Sequence, residues 1–121
     1  MLVLVHTDSH ITGDERLKEY TEEAVHGSID RFGNRVTRVE VQFSDQDGRE
    51  KTKGDDKRCV LEARLAGLHP LSVSHDAHKV KDALHGAVEK LEKLIAHTIE
   101  KHVDSQRRAA VVVDEEVEVE E

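Results

Sequence analysis

Apolar and polar positions follow two periods along this chain, and together they mark six regular elements. Residues 2–6 (LVLVH) form a short β-branched-rich run, suited to a strand with both faces partly covered. Residues 36–44 (VTRVEVQFS) alternate, with Val39, Val41 and Phe43 on one side and Arg38, Glu40 and Gln42 on the other. Residues 58–65 (RCVLEARL) repeat the pattern with Cys59, Leu61, Ala63 and Leu65 inward, and LSVSH (71–75) reads as a fourth short strand after a turn at Gly67–Pro70. Between the second and third strands, DQDGREKTKGDDK is polar and contains glycine, as a long hairpin connection would.

Two segments carry the helical period. Leu17, Tyr20, Ala24, Ser28 and Phe32 recur at three- and four-residue steps, which predicts a helix over about 14–32. Thr12 and Glu15 have capping-box spacing at its start, and Gly33-Asn34 is a favourable stop. Val80, Leu84, Ala87, Val88, Leu91, Leu94, Ile95, Thr98 and Ile99 trace a longer stripe, which predicts a helix over about 77–103. The order is β-α-β-β-β-α. Two helices with one apolar face each and strands with one apolar side pack most economically as two layers, so the expected fold is an α+β sandwich with both helices on one face of a four-stranded sheet.

Composition changes this picture in one place. The chain has 121 residues, with 18 Lys+Arg, 26 Asp+Glu and a net charge of −8. Six of the acids (Asp114, Glu115, Glu116, Glu118, Glu120 and Glu121) fall in AAVVVDEEVEVEE, so residues 1–108 carry 18 basic and 20 acidic side chains, a net of only −2. The expected division is a folded domain over 1–104 and an acidic, flexible tail over 105–121, whose Val–acid alternation would also suit an edge strand. No apolar run reaches the ~18–20 residues of a membrane span. The opening MLVLVHTDSH lacks the basic segment of a signal peptide, and the single Cys59 has no disulfide partner. A cytoplasmic protein without membrane attachment is expected.

Catalytic chemistry finds little support. The nine histidines at 6, 10, 26, 69, 75, 78, 85, 97 and 102 include no H-E-x-x-H pair, and no cysteine pair suggests structural zinc. Phosphate-binding and nucleophile-elbow glycine patterns are missing too. No catalytic residue, metal or cofactor is expected, although the histidines leave a metal-dependent role open to test. Nucleic-acid binding fits better. Lys79, Lys90, Lys93, His97 and Lys101 fall within an arc of about 80° on the long helix, beside its apolar stripe. Gly86 lies on the same stripe, where a phosphate backbone would have room to approach. Arg107 and Arg108 extend the basic end, and Lys57 and Arg58 lie at the hairpin. With Tyr20, Phe32 and Phe43 all in core phase, base stacking is not on offer, so RNA would be held by charge and shape.

Several stretches resemble the ribosome hibernation-promoting factor/RaiA family. They are T-G-D-E-R-L-K-E-Y at the first helix, R-F-x-x-R-V-T-R-V-E-V into the second strand, DDKRCVLEARLAGLHPLSVSH and A-L-H-G-A-V-E-K-L-E-K-L. The likeness covers roughly residues 1–103. It implies a translation inhibitor that docks between head and body of the small ribosomal subunit, occupies the messenger and transfer RNA channel, and meets ribosomal RNA phosphates with basic side chains. Lys90 and Lys93 match the family's K-L-x-[RK] helix pattern. Lys79 and Lys101 join them by helical geometry alone. In place of the lysines usual in the second half of the family's first helix, this chain has Ala24, Val25, His26 and Gly27, preceded by Glu22 and Glu23. An alternative therefore stands beside the first reading: a non-catalytic protein-interaction or stress adaptor that kept the fold and lost RNA binding.

Overall fold

The computed structural model describes residues 1–8, 11, 13–45 and 57–120, with side chains through Arg107. Its elements run β1 (Leu2–Thr7), α1 (Glu15–Ile29), a 3-10 segment (Asp30–Arg35), β2 (Val36–Asp45), β3 (Lys57–Leu65), β4 (Leu71–Ala77) and α2 (Val80–Glu120). The strands form one sheet in the order β1-β2-β3-β4. β1 is parallel to β2, and the other neighbours are antiparallel. The expected α+β two-layer arrangement is the observed one. Thr12 and most of the hairpin connection lie outside the described residues.

The registers stack the inward residues in rows. Val5, Val41, Leu61 and Val73 make one row, and Val3, Val39, Ala63 and Leu71 the next. Val39, Val41, Leu61 and Ala63 are fully buried there. α2 lies over β3 and β4, while α1 lies against β1 and α2. Ala83, Leu84, Ala87, Val88, Leu91 and Ile95 bring the inner side of α2 into this core.

α1 departs from the sequence expectation in three respects. Its cap is Asp14, whose Oδ1 accepts the Leu17 N–H at 2.9 Å. Its most buried residues are Thr21, Val25 and Ile29, one position along from the expected stripe, with Leu17, Tyr20, Ala24 and Phe32 partly buried. The helix packs against two partners, sheet and α2, so its covered arc is wider than one row of residues. It ends at Ile29, and the chain turns through the 3-10 segment, where Gly33 adopts φ 60° and ψ −135°, a conformation that a side chain would strain. Thr21 is the one buried polar residue of the described core, and its hydroxyl has no hydrogen-bond partner. Thr21→Val should therefore raise stability by about 1 kcal/mol in denaturant unfolding.

α2 differs more. Its backbone continues as helix to Glu120, well past the expected end near 103. At 1.5 Å per residue its 41 residues span roughly 60 Å, so the last turns project beyond the sheet. Alanine and glutamate are strong helix formers, and a helix already running needs no new nucleus. Those two effects outweigh the two-residue alternation of Val and acid.

Candidate nucleic-acid interface

The lie of α2 on the sheet decides where its basic residues point. Lys90 Nζ donates to the carbonyl oxygen of Ser74 at 2.9 Å, which brings this flank of α2 alongside β4. β4 is an edge strand, so groups directed away from β3 have no ladder partner. Within a strand, the N–H and C=O of one residue leave on the same side, and successive residues alternate. The Ser74 N–H, with those of Ser72 and Asp76, therefore faces the edge as well.

Lys79, Lys90, Lys93, His97 and Lys101 are all exposed on α2 or, for Lys79, just before it. Lys93 holds Glu89 at 3.2 Å, with both side chains well exposed, a pairing of small energy that an incoming phosphate would readily displace. Among the described residues, the side chains of Lys79, His97 and Lys101 have no ion pair. Asp104 enters the same arc further along. The Arg108 side chain lies outside the described residues.

Lys57 and Arg58 behave differently. Lys57 bonds Asp45 at 3.3 Å. Arg58 grips Asp76 through Nε at 2.8 Å and Nη2 at 3.1 Å. That hydrogen-bonded pairing holds the Asp76 carboxyl below its usual range, against an opposing effect of burial, and raises the Arg58 guanidinium. In the sheet register Lys57 pairs with Ala77, close to the start of α2. Arg58 and Asp76 alternate with the inward Cys59 and His75 and stand on the face turned from the helices. The charge of both bases is already answered. Asp76→Asn should free Arg58 at the β4 edge, where the Asp76 carboxylate also feels Lys90. If the lysine flank beside this edge binds RNA phosphates, the variant should bind ribosomes more tightly, with a salt slope steeper by about one, measured by co-sedimentation across a salt series.

Gly86 is corrected by the structure. The space before it is filled by the His75 ring, and a Cβ there would collide with the ring atoms. The glycine lets α2 close onto β4 and leaves no opening for a phosphate. Gly86→Ala gains about 1 kcal/mol of helix propensity but forces the ring aside at ~1–3 kcal/mol. A net loss of about 1 kcal/mol is expected in thermal unfolding, and adding His75→Ala should remove it.

Sequence reading missed the backbone groups of the β4 edge, which border the lysine flank. Only the sheet order could have revealed them. The opposite flank of α2 has the other sign. Between α1 and α2 lies an open cleft of about 390 Å³ whose lining includes Glu23, Glu89 and Glu92 over Gly27, Ser28 and Val88, with Arg31 paired to Glu92 at 3.1 Å. Tyr20 Oη and His85 Nε2 lie 2.5 Å apart across the same two helices. Phe43 is buried and Tyr20 and Phe32 are partly buried, so a stacking platform is not built from them. Cys59 is fully buried, and burial pushes its thiol up to about 12, unsuited to a nucleophile. Among the described residues, no group of three or more His, Cys, Asp or Glu could hold a metal ion, and no helix is long and apolar enough to cross a membrane.

Residues 4–119 match the family described as sigma 54 modulation protein / S30EA ribosomal protein. The chain belongs to this family. The S30EA family is a ribosome-associated modulation family, in agreement with the resemblance to hibernation-promoting factors carried by the helix and strand motifs. Two solved structures share the fold. One is a ribosomal subunit interface protein from Coxiella burnetii, with a TM-score of 0.66 and 15% identity over 83% of this chain and 99% of that one. The other is the N-terminal domain of Thermus thermophilus Protein Y, with a TM-score of 0.65 and 16% identity over 81% of this chain and 99% of that one. No curated protein matches the S30EA chain.

Proposed function

We propose that this S30EA-family chain is a non-catalytic, cytoplasmic translation inhibitor that binds small-subunit ribosomal RNA in the messenger and transfer RNA channel and blocks translation by occupying it. The observation that carries this reading is the row of exposed lysines on α2 beside the open edge of β4, in a chain of a ribosome-associated family. Ammonium groups along one flank suit a run of phosphates, and unpaired strand amides beside them add neutral donors. Lys79, Lys90, Lys93, His97 and Lys101 make the contacts. Lys57 and Arg58 join only if RNA displaces Asp45 and Asp76. Residues 1–104 act as the binding domain, and 105–121 form an acidic appendage whose charge opposes a polyanion.

Ribosome co-sedimentation of the full chain tests the reading, combined with a cell-free translation assay. Binding to small subunits that weakens steeply with salt, together with arrested translation, is the expected result. Binding to large subunits alone, or translation that proceeds at saturating protein, refutes it. The acidic cleft between α1 and α2 favours the adaptor reading, in which a basic protein partner replaces RNA. Capture from lysate at about 0.1 M salt separates the two: ribosomal particles support inhibition, and a discrete non-ribosomal partner supports the adaptor.

A further inference from the structure

The face of the sheet turned away from the helices has an unusual arrangement of charge. Its registers give four rows: Leu2, Arg38 and Arg64; then Leu4, Glu40, Glu62 and Ser72; then His6, Gln42, Val60 and Ser74; then Ser44, Arg58 and Asp76. Two arginines stand directly opposite each other in the first row and two glutamates in the second. Like charges directly across a strand pair are unfavourable, and exchanging Arg64 with Glu62 would relieve both clashes within the chain. Arg38 turns to Glu40 along its own strand, with its Nε left without an acceptor. Arg64 and Glu62 have no ion pair among the described residues. Leu2, 55% exposed, and Met1, 37% exposed, are the exposed large hydrophobics among the described residues, and Leu2 belongs to the arginine row.

This pattern clashes with itself inside one sheet but complements its own image. Two sheets packed face to face with a two-fold axis along the strands would set Arg over Arg. With the axis across the strands, between the first two rows, Arg38 meets Glu40 of a second copy and Arg64 meets its Glu62. Each pair is repeated by the symmetry, and Leu2 meets Leu4. Such a contact is isologous and closes after two copies. It also matches aligned sheet packing, in which strand directions stay within about 30°. Both helices of each copy lie on the outer side, so neither obstructs the approach.

We propose that the open sheet face is a contact between two copies of this chain, giving a four-layer α-β-β-α dimer held by reciprocal Arg–Glu pairs. About four strands at ~4.8 Å spacing and six residues at ~3.3 Å rise give a flat footprint on the order of 300–400 Å² per copy, short of the ~800 Å² of a durable interface. The dimer is therefore weak and reversible, and it needs protein on the order of 100 μM to form. The RNA surface proposed above, the lysine flank of α2 beside β4, lies on the helix side of the sheet, and its test does not depend on this dimer.

Sedimentation equilibrium of the full chain over a concentration series is the test. The wild-type chain should show a monomer–dimer equilibrium that weakens with salt. R38E/R64E and E40R/E62R should each lose self-association by about 100-fold or more, and an equimolar mixture should recover a dimer containing one of each. Should either double variant fail circular dichroism for folding, R64E alone carries the test, because its exposed side chain has no ion pair to lose among the described residues. A wild-type chain that stays monomeric to about 1 mM overturns the proposal, as does R64E dimerising like wild type. If a monomeric wild type is also released from ribosomes by R64E, the face belongs to RNA instead.

Discussion

Reversing Lys90 and Lys93 to glutamate should release the chain from ribosomes at about 0.1 M salt, with affinity lower by about 100-fold or more. Both ammonium groups lie on the flank beside β4. Among the described residues, Lys93, 77% exposed, pairs with Glu89 alone, 69% exposed, and Lys90 bonds the Ser74 carbonyl alone. Reversal removes two phosphate contacts, which lowers the salt slope by about two, and places two carboxylates where a polyanion must run. The change at Lys93 also sets a like charge four residues from Glu89, at a cost of a few tenths of a kcal/mol to the helix. Stability should otherwise hold within about 1 kcal/mol, so circular dichroism and thermal unfolding provide the control. Unchanged co-sedimentation of this folded variant would remove the α2 flank as the RNA surface.

The sheet strands were legible because each inward residue alternates with an outward one. Val39, Val41 and Phe43 needed only the two-residue period to be placed in the core. Burial on one side fixes the parity of their pairing, but a two-residue slip keeps that parity, so the register against Leu61 and Cys59 came from the structure. α1 was less legible. A helix touching both sheet and α2 buries two adjacent rows, and hydrophobicity alone ranked Tyr20 and Phe32 above Thr21, a polar residue that is completely covered. The 103 boundary of α2 was misplaced for a local reason: valine and glutamate alternating in EVEVE satisfy a strand period as readily as they extend a helix.

At the interface, helix geometry alone aligned Lys79, Lys90, Lys93, His97 and Lys101. What it could not supply was the neighbour across from them. The partners of Arg58 and Lys57 come from adjacent strands, Asp76 and Asp45, and His75 reaches Gly86 from β4. These are contacts between elements distant in sequence, which periodicity within either element does not encode. The same holds for the paired Arg and Glu rows of the open face, which exist only once β1, β2 and β3 are in register.

A second large effect is expected at Leu91, and it should have the opposite signature. Leu91 is fully buried where α2 crosses the sheet, one residue from Lys90 and two from Lys93. Leu91→Ala removes a fully packed side chain and should cost ~2–5 kcal/mol, a large share of the ~5–15 kcal/mol that holds a domain of this kind together. The melting temperature should fall by roughly 8–20 °C, at roughly 4 °C per kcal/mol. The lysine flank itself is untouched. Ribosomes at saturating concentration would bind only the folded chain and pull it back by mass action, so co-sedimentation at low temperature should approach wild type while protease resistance of the free protein collapses. Loss of binding in proportion to the unfolded fraction fits this scheme. Loss of binding in a fully folded L91A population would mean that RNA reads the packing of α2 as well as its charge.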